Sequence, residues 1–195
     1  GGEARQLTRD ECHNTAPRWS PDGQRLLYLS SMQPDSHRVY HPALRVADLA
    51  GESRDVVAEW GFADAAEWLP GGEQIAFIGN AHGLPIGSKS DLWVVDAAGG
   101  APICRTASLA VGVGGGLQPD MPLRGKAALF VAPDGASAWV QVQAGGTVGV
   151  YGVALAGPES WQPVVQGERA CALFDAGAGR LLYAASDLNR PPELF

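Results

Sequence analysis

The sequence predicts an all-β chain built from repeated four-stranded antiparallel sheets, and three observations lead there. Turn formers are abundant, with 26 Gly and 14 Pro in 195 residues, and in a helix interior these cost about 1 and 3 kcal/mol each. A unit of aromatic residue, tight turn and apolar strand recurs four times. A second apolar stretch ending in glycine recurs behind it three times. The apolar share of 46% is ordinary for a chain that buries a core.

The first unit reads Pro17-Arg18-Trp19-Ser20-Pro21-Asp22-Gly23 and runs into the apolar stretch 25–30. The second reads Glu67-Trp68-Leu69-Pro70-Gly71-Gly72 before 74–79, and the third Phe130-Val131-Ala132-Pro133-Asp134-Gly135 before 137–141. The fourth, Phe174-Asp175-Ala176-Gly177-Ala178-Gly179, has lost its proline but repeats Arg-Leu-Leu-Tyr at 180–183. Aligned on Pro21, Pro70, Pro133 and Ala176, the intervals are 49, 63 and 43. Proline presets φ and glycine supplies a positive φ, so each unit is a hairpin.

Behind the hairpins, 44–51, 92–99 and 150–157 match one another, and each is followed by a short strand (54–58, 102–106 and 162–166). Four strands in about 40–50 residues is one blade of a β-propeller. A β-sandwich also spaces short strands by about 8–12 residues, but has no reason to repeat Trp-x-Pro-(Asp/Gly)-Gly in register.

The expected organisation is an outermost strand at 1–9, blades at about 16–60, 63–106 and 127–166, and an incomplete blade at 169–195. Residues 1–8 align with 99–106 at an offset of 98, as an outermost strand without its own blade. The N-terminal strand is therefore expected to complete the last blade. That gives a four-bladed ring or a dimer closed by exchange at unpaired strand edges.

Net charge is −7, with 14 Lys and Arg against 21 Asp and Glu, and the only lysines are Lys89 and Lys126. Phosphate backbones are held by clustered cations, so nucleic acid is not an expected partner. No apolar run reaches the roughly 18 residues of a membrane span. The N-terminus has no Met and no charged-then-apolar leader layout, as at an internal cut or tag remnant. Cys12, Cys104 and Cys171 are isolated and odd in number, which fits a reducing cytosol.

Trp-Ser-Pro-Asp-Gly with a following apolar strand, then Leu-Trp-Val-Val-Asp-x-x-Gly-Gly, resembles the TolB/WD40-like repeats. The stretch Ser186-Asp187-Leu188-Asn189-Arg190-Pro191-Pro192-Glu193-Leu194-Phe195 resembles propellers of the prolyl oligopeptidase family, closest to the acylaminoacyl-peptidase branch. The resemblance implies a parent serine peptidase in which the propeller caps an α/β-hydrolase domain with a Ser-Asp-His triad. That cap would admit only short, unfolded or acylated peptides. Hydrolase domain and short peptides are then the expected partners, and the segment itself would be a non-catalytic gate without a cofactor. Family propellers usually have more blades, and the hydrolase half is absent here. The alternative is a stand-alone TolB-like propeller that binds a protein; a propeller with its own central active site ranks third.

The residues support the non-catalytic reading. The nucleophile elbow of an α/β-hydrolase needs Gly-x-Ser-x-Gly, and no such pattern occurs. Asp35-Ser36-His37 holds the triad's residue types, but a triad is assembled across a fold and not by adjacency. His37 and His41, four apart on a strand, would stand about 13 Å apart, too far to share a metal ion. Val111-Gly112-Val113-Gly114-Gly115-Gly116 is followed by Pro119 and Pro122 where a phosphate-cradling loop needs a helix, so a flexible connection is expected.

Trp19 and Trp68 are expected between blades, Trp93 and Trp139 in the core, and Trp60 and Trp161 at outer edges. Loss of the Trp19 ring should accordingly cost about 3–5 kcal/mol. Arg18 and Arg38 are the candidates for meeting a peptide carboxylate.

Overall fold

The computed structural model describes residues 3–31, 42–57, 60–82, 88–115, 128–177 and 179–195. Their regular structure is entirely strand. Blade one is the sheet β1 (His13–Trp19), β2 (Arg25–Ser31), β3 (Ala43–Asp48) and β4 (Ser53–Asp55). Blade two is β5 (Phe62–Trp68), β6 (Gln74–Asn80), β7 (Asp91–Asp96) and β8 (Ile103–Cys104). Blade three is β9 (Leu129–Val131), β10 (Ser137–Ala144), β11 (Thr147–Ala154) and β12 (Trp161–Val165). The three strands β13 (Ala170–Gly177), β14 (Arg180–Asp187) and β15 (Arg190–Leu194) form blade four, joined to blade three by one parallel bridge, Val148 to Ala170. Within each blade, consecutive strands pair antiparallel. First strands touch the first strands of neighbouring blades (β1 with β5, β5 with β9, β9 with β13), so they form the inner edge of the stack.

Strand β6 is apolar on both faces because blade two lies between two neighbouring blades. On β6, Ile75 and Phe77 pack with Leu27, Leu29, Leu44 and Val46 of blade one. The alternate residues Ala76 and Ile78 pack with Leu129, Val140 and Val142 of blade three. Blade three meets blade four through Val150, Trp139 and Phe130 against Leu173, Cys171, Ala185 and Tyr183.

The turn motif is itself part of the packing. Gly23, Gly72 and Gly135 all take φ near +70°, and each donates its N–H three residues back, to Ser20, Leu69 and Ala132. The Pro21 ring lies where a Cβ on Gly72 would approach it to 3.4 Å, and Pro70 stands in the same relation to Gly135 at 3.1 Å. Proline of one turn thus rests on glycine of the next, which is why both residues recur.

Several expectations need correction. Residues 3–9, expected as an outermost strand, are not in a strand, and β15 has no neighbour beyond β14 among the described strands. The N-terminal segment lies instead against the β3–β4 turn, where Arg5 Nη2 donates to the Ala50 carbonyl at 3.0 Å. The sheets therefore do not close into a ring. Outer strands β4 and β8 are shorter than expected, ending at Asp55 and Cys104.

Trp19 is not enclosed between blades: it is 57% exposed, whereas Trp68 is 4% exposed, because blade one has no described blade on its far side. The glycine-rich stretch is tightly packed where it is described. Leu109 and Val113 are buried, and a Cβ on Gly114 would come within 2.9 Å of Ile78.

Candidate functional site

Arg18 lies on β1 at the inner edge, where it pairs with blade two. Its Nε–H donates to Glu67 Oε2 on β5 at 3.1 Å, and its carbonyl accepts the Trp68 indole N–H at 3.1 Å. The pair is only half-buried, so it steers orientation more than it adds stability. Arg38, His37, His41 and the Asp35-Ser36-His37 triplet lie outside the described residues.

The inner edge also carries Asp64, at the bulge of β5 between Ala63 and Ala65. Partial desolvation holds its carboxyl above the usual Asp value, although much of its surface meets solvent. Sequence reasoning overlooked Asp64 because a bulge leaves no mark beyond one polar residue in an apolar strand.

Two shallow cavities stand out among the described residues. One of about 270 Å³ is lined by Arg25, Val46, Asp48, Glu52, Ser53 and Arg54. Its two guanidinium groups are already occupied by blade two, Arg25 on the Gly72 carbonyl at 2.6 Å and Arg54 on the Ala97 carbonyl. The other, about 140 Å³, lies at the free end of blade four between Arg169, Ser186, Arg190, Glu193 and Phe195. Ser186 there has no described histidine beside it: the two described histidines, His13 and His82, belong to blades one and two.

No group of three or more His, Cys, Asp or Glu side chains that could hold a metal ion occurs among the described residues. No described helix is long and apolar enough to cross a membrane.

Among the described residues, the side chain with the most hydrogen bonds is that of Arg105, which no sequence motif singles out. It follows β8 and is 5% exposed. Its guanidinium donates to the blade-three carbonyls of Ala154 (2.9 Å), Ala156 (3.0 Å), Gly157 (3.1 Å) and Pro158 (3.2 Å). Beside it, Ser108 donates from Oγ (2.5 Å) and backbone N (2.8 Å) to Glu159. These two bonds hold the Glu159 carboxyl below its ordinary value. The cluster fastens two blades; it presents no nucleophile–base pair.

No protein-family profile matches the chain, and no curated protein resembles it in sequence. Solved structures do resemble its fold. A puromycin hydrolase superposes with a TM-score of 0.66 at 20% identity over 97% of this chain and 28% of its own. An acylaminoacyl peptidase, solved with Z-Gly-Gly-Phe-chloromethyl ketone, gives 0.64 at 14% identity over 92% and 25%. TolB from Acinetobacter baumannii gives 0.59 at 15% identity over 96% and 44%. The chain is thus similar to part of each, spanning between a quarter and under half of their lengths.

Proposed function

We propose that this chain is the substrate-gating propeller segment of a serine peptidase of the prolyl oligopeptidase type, nearest the acylaminoacyl peptidases. The hydrolase domain of the parent chain would cleave short or acylated peptides, and the blades would limit which peptides reach it. The observation that carries this reading is the agreement of fold and ending. A propeller segment similar to peptidase structures over nearly its whole length carries Arg-Pro-Pro-Glu-Leu-Phe, whose first five residues form β15. The inner edge bears ion-paired and exposed carboxylates where a catalytic centre would need a nucleophile with its base. The three unpaired cysteines suit a reducing compartment.

The likeness to TolB favours a second reading, a propeller that binds a protein partner. The coding sequence beyond Phe195 decides between them. A Gly-x-Ser-x-Gly stretch there supports the peptidase, and a stop codon supports the binding module. Incubation with a fluorophosphonate should leave the 195-residue chain unlabelled; stoichiometric labelling of a serine would refute the non-catalytic role.

A further inference from the structure

The sequence contains two Asp-Gly steps, Asp22-Gly23 and Asp134-Gly135, and each forms the turn between the first two strands of a blade. Asp-Gly is the step at which a chain isomerises most readily. Glycine puts no side chain in the way of its own nitrogen as that atom approaches the aspartate carboxyl. The two turns are built alike. In each, the glycine takes φ +69° and donates its N–H three residues back, at 2.8 Å. Each aspartate accepts the backbone N–H two residues on, Asp22 from Gln24 at 3.0 Å and Asp134 from Ala136 at 2.9 Å. Both aspartates are exposed. Packing does not separate them, since Pro21 of the first turn rests on Gly72 and Gly135 of the other lies under Pro70.

One hydroxyl does separate them. Ser20 is buried, and its Oγ, which lies 3.0 Å from the Arg25 carbonyl, donates to Asp22 Oδ1 at 2.5 Å. With the Gln24 N–H and the nearby Arg25 charge, this bond holds the Asp22 carboxyl below its ordinary value. In blade three, Ala132 and Ser137 stand where blade one has Ser20 and Arg25. The backbone fixes that equivalence: Ser20 N–H donates to the Arg25 carbonyl at 2.9 Å, and Ala132 N–H to that of Ser137 at 2.8 Å. Among the described residues, Ala136 N–H is the only hydrogen-bond donor to the Asp134 carboxyl.

We propose that Asp134 is a site of spontaneous isomerisation to isoaspartate, and that Ser20 protects Asp22 from the same reaction. The Gly135 nitrogen attacks Cγ of the protonated Asp134 carboxyl. The N–Cγ bond forms and one Cγ–O bond breaks. That oxygen leaves as water with the carboxyl proton and the amide proton, closing a succinimide ring. A water molecule then adds to one of the two ring carbonyls. Breaking the main-chain carbonyl–nitrogen bond routes the chain through Cβ and Cγ as isoaspartate; breaking the Cγ–nitrogen bond restores aspartate. Releasing the glycine N–H costs the same in both turns. Asp22 must also give up the charge-assisted bond from Ser20 before it can take a proton, so it reacts about tenfold more slowly.

The lesion falls on a joint between blades. An extra main-chain atom between Asp134 and Gly135 moves Gly135 from under Pro70 of blade two. It also disturbs the bonds from Gly135 N–H to the Ala132 carbonyl and from Leu155 N–H to the Ala136 carbonyl. Isomerisation thus loosens blade three against blade two as the protein ages. This inference is independent of the peptidase reading.

The test is to hold the 195-residue chain for weeks at mildly acid pH in heavy-oxygen water, then digest it and map the peptides. Each ring opening leaves a heavy oxygen in its peptide, and the isoaspartyl form elutes apart from its parent. Isoaspartate should accumulate at Asp134 about tenfold faster than at Asp22. Ser20→Ala should bring Asp22 up to the Asp134 rate, Ala132→Ser should slow Asp134, and in guanidinium chloride the two wild-type rates should converge. Equal rates in the folded chain, faster conversion at Asp22, or conversion at neither site would overturn the proposal. A folded Ser20→Ala chain with an unchanged Asp22 rate would do the same. Should Ser20→Ala fail to fold, the wild type decides alone: a rate ratio that unfolding leaves unchanged removes the role given to Ser20.

Discussion

Trp19 and Trp68 occupy the same place in successive repeats, yet their removal should have very different consequences. Trp68 is enclosed: its indole N–H donates to the Arg18 carbonyl at 3.1 Å, and the Arg25 guanidinium carbon lies 4.9 Å from its ring centroid. Truncating such a buried ring leaves a cavity between two blades, and Trp68→Ala should cost about 3–5 kcal/mol. Within that sum, the hydrogen bond contributes roughly 1 kcal/mol and the cation–π contact roughly 0.5–1. Trp19 keeps more than half its surface in water, so Trp19→Ala should cost about 1 kcal/mol or less. Urea titrations followed by far-ultraviolet circular dichroism measure both, since fluorescence would be altered by losing the chromophore. Equal destabilisation by the two substitutions would refute the reasoning, because it would mean that blade one is covered on both faces.

Arg105→Ala should destabilise by about 2–4 kcal/mol, since four carbonyls lose a buried charged donor. Arg105→Lys should recover less than half of this, because an ammonium cannot span the same arc of oxygens; thermal denaturation of the three proteins checks the order. Asp64 has a carboxyl raised by desolvation. Its protonated form is therefore favoured in the folded chain, a contribution present at low pH that fades as pH rises through the folded pKa. Asp64→Asn should therefore be at least as stable as wild type at neutral pH, with the difference closing below the ordinary Asp range; urea midpoints across pH read it.

The fold was legible because the repeat encodes contacts as well as strands. Pro21 against Gly72 and Pro70 against Gly135 are packed pairs, so the motif survives wherever one turn rests on the next. It has faded in the fourth unit, where Ala176 replaces proline and a Cβ on Gly179 would meet nothing within 4 Å. Trp19 misled because a repeat position implies the same environment only when a neighbour stands on the same side.

Arg105 left no signal because its partners are backbone carbonyls, which any sequence supplies; the aligned residue in blade one is Val56. The glycines of 112–115 suggested looseness because sequence cannot distinguish a glycine chosen for freedom from one chosen for close approach. At Gly114 both apply: φ is +82°, and Ile78 lies where a Cβ would stand. Of the candidate ligand-binding arginines, Arg18 takes part in a blade joint through Glu67, which its position one residue before a motif tryptophan could have suggested.

Amide hydrogen exchange tests the stacking most directly, because a strand enclosed on both faces opens only when neighbouring blades part. The slowest amides should lie in β2, β6 and β10, with β4, β8 and residues 3–9 exchanging far sooner. Comparable protection across all strands of each sheet, or slow exchange confined to the outer strands, would contradict blades packed face to face.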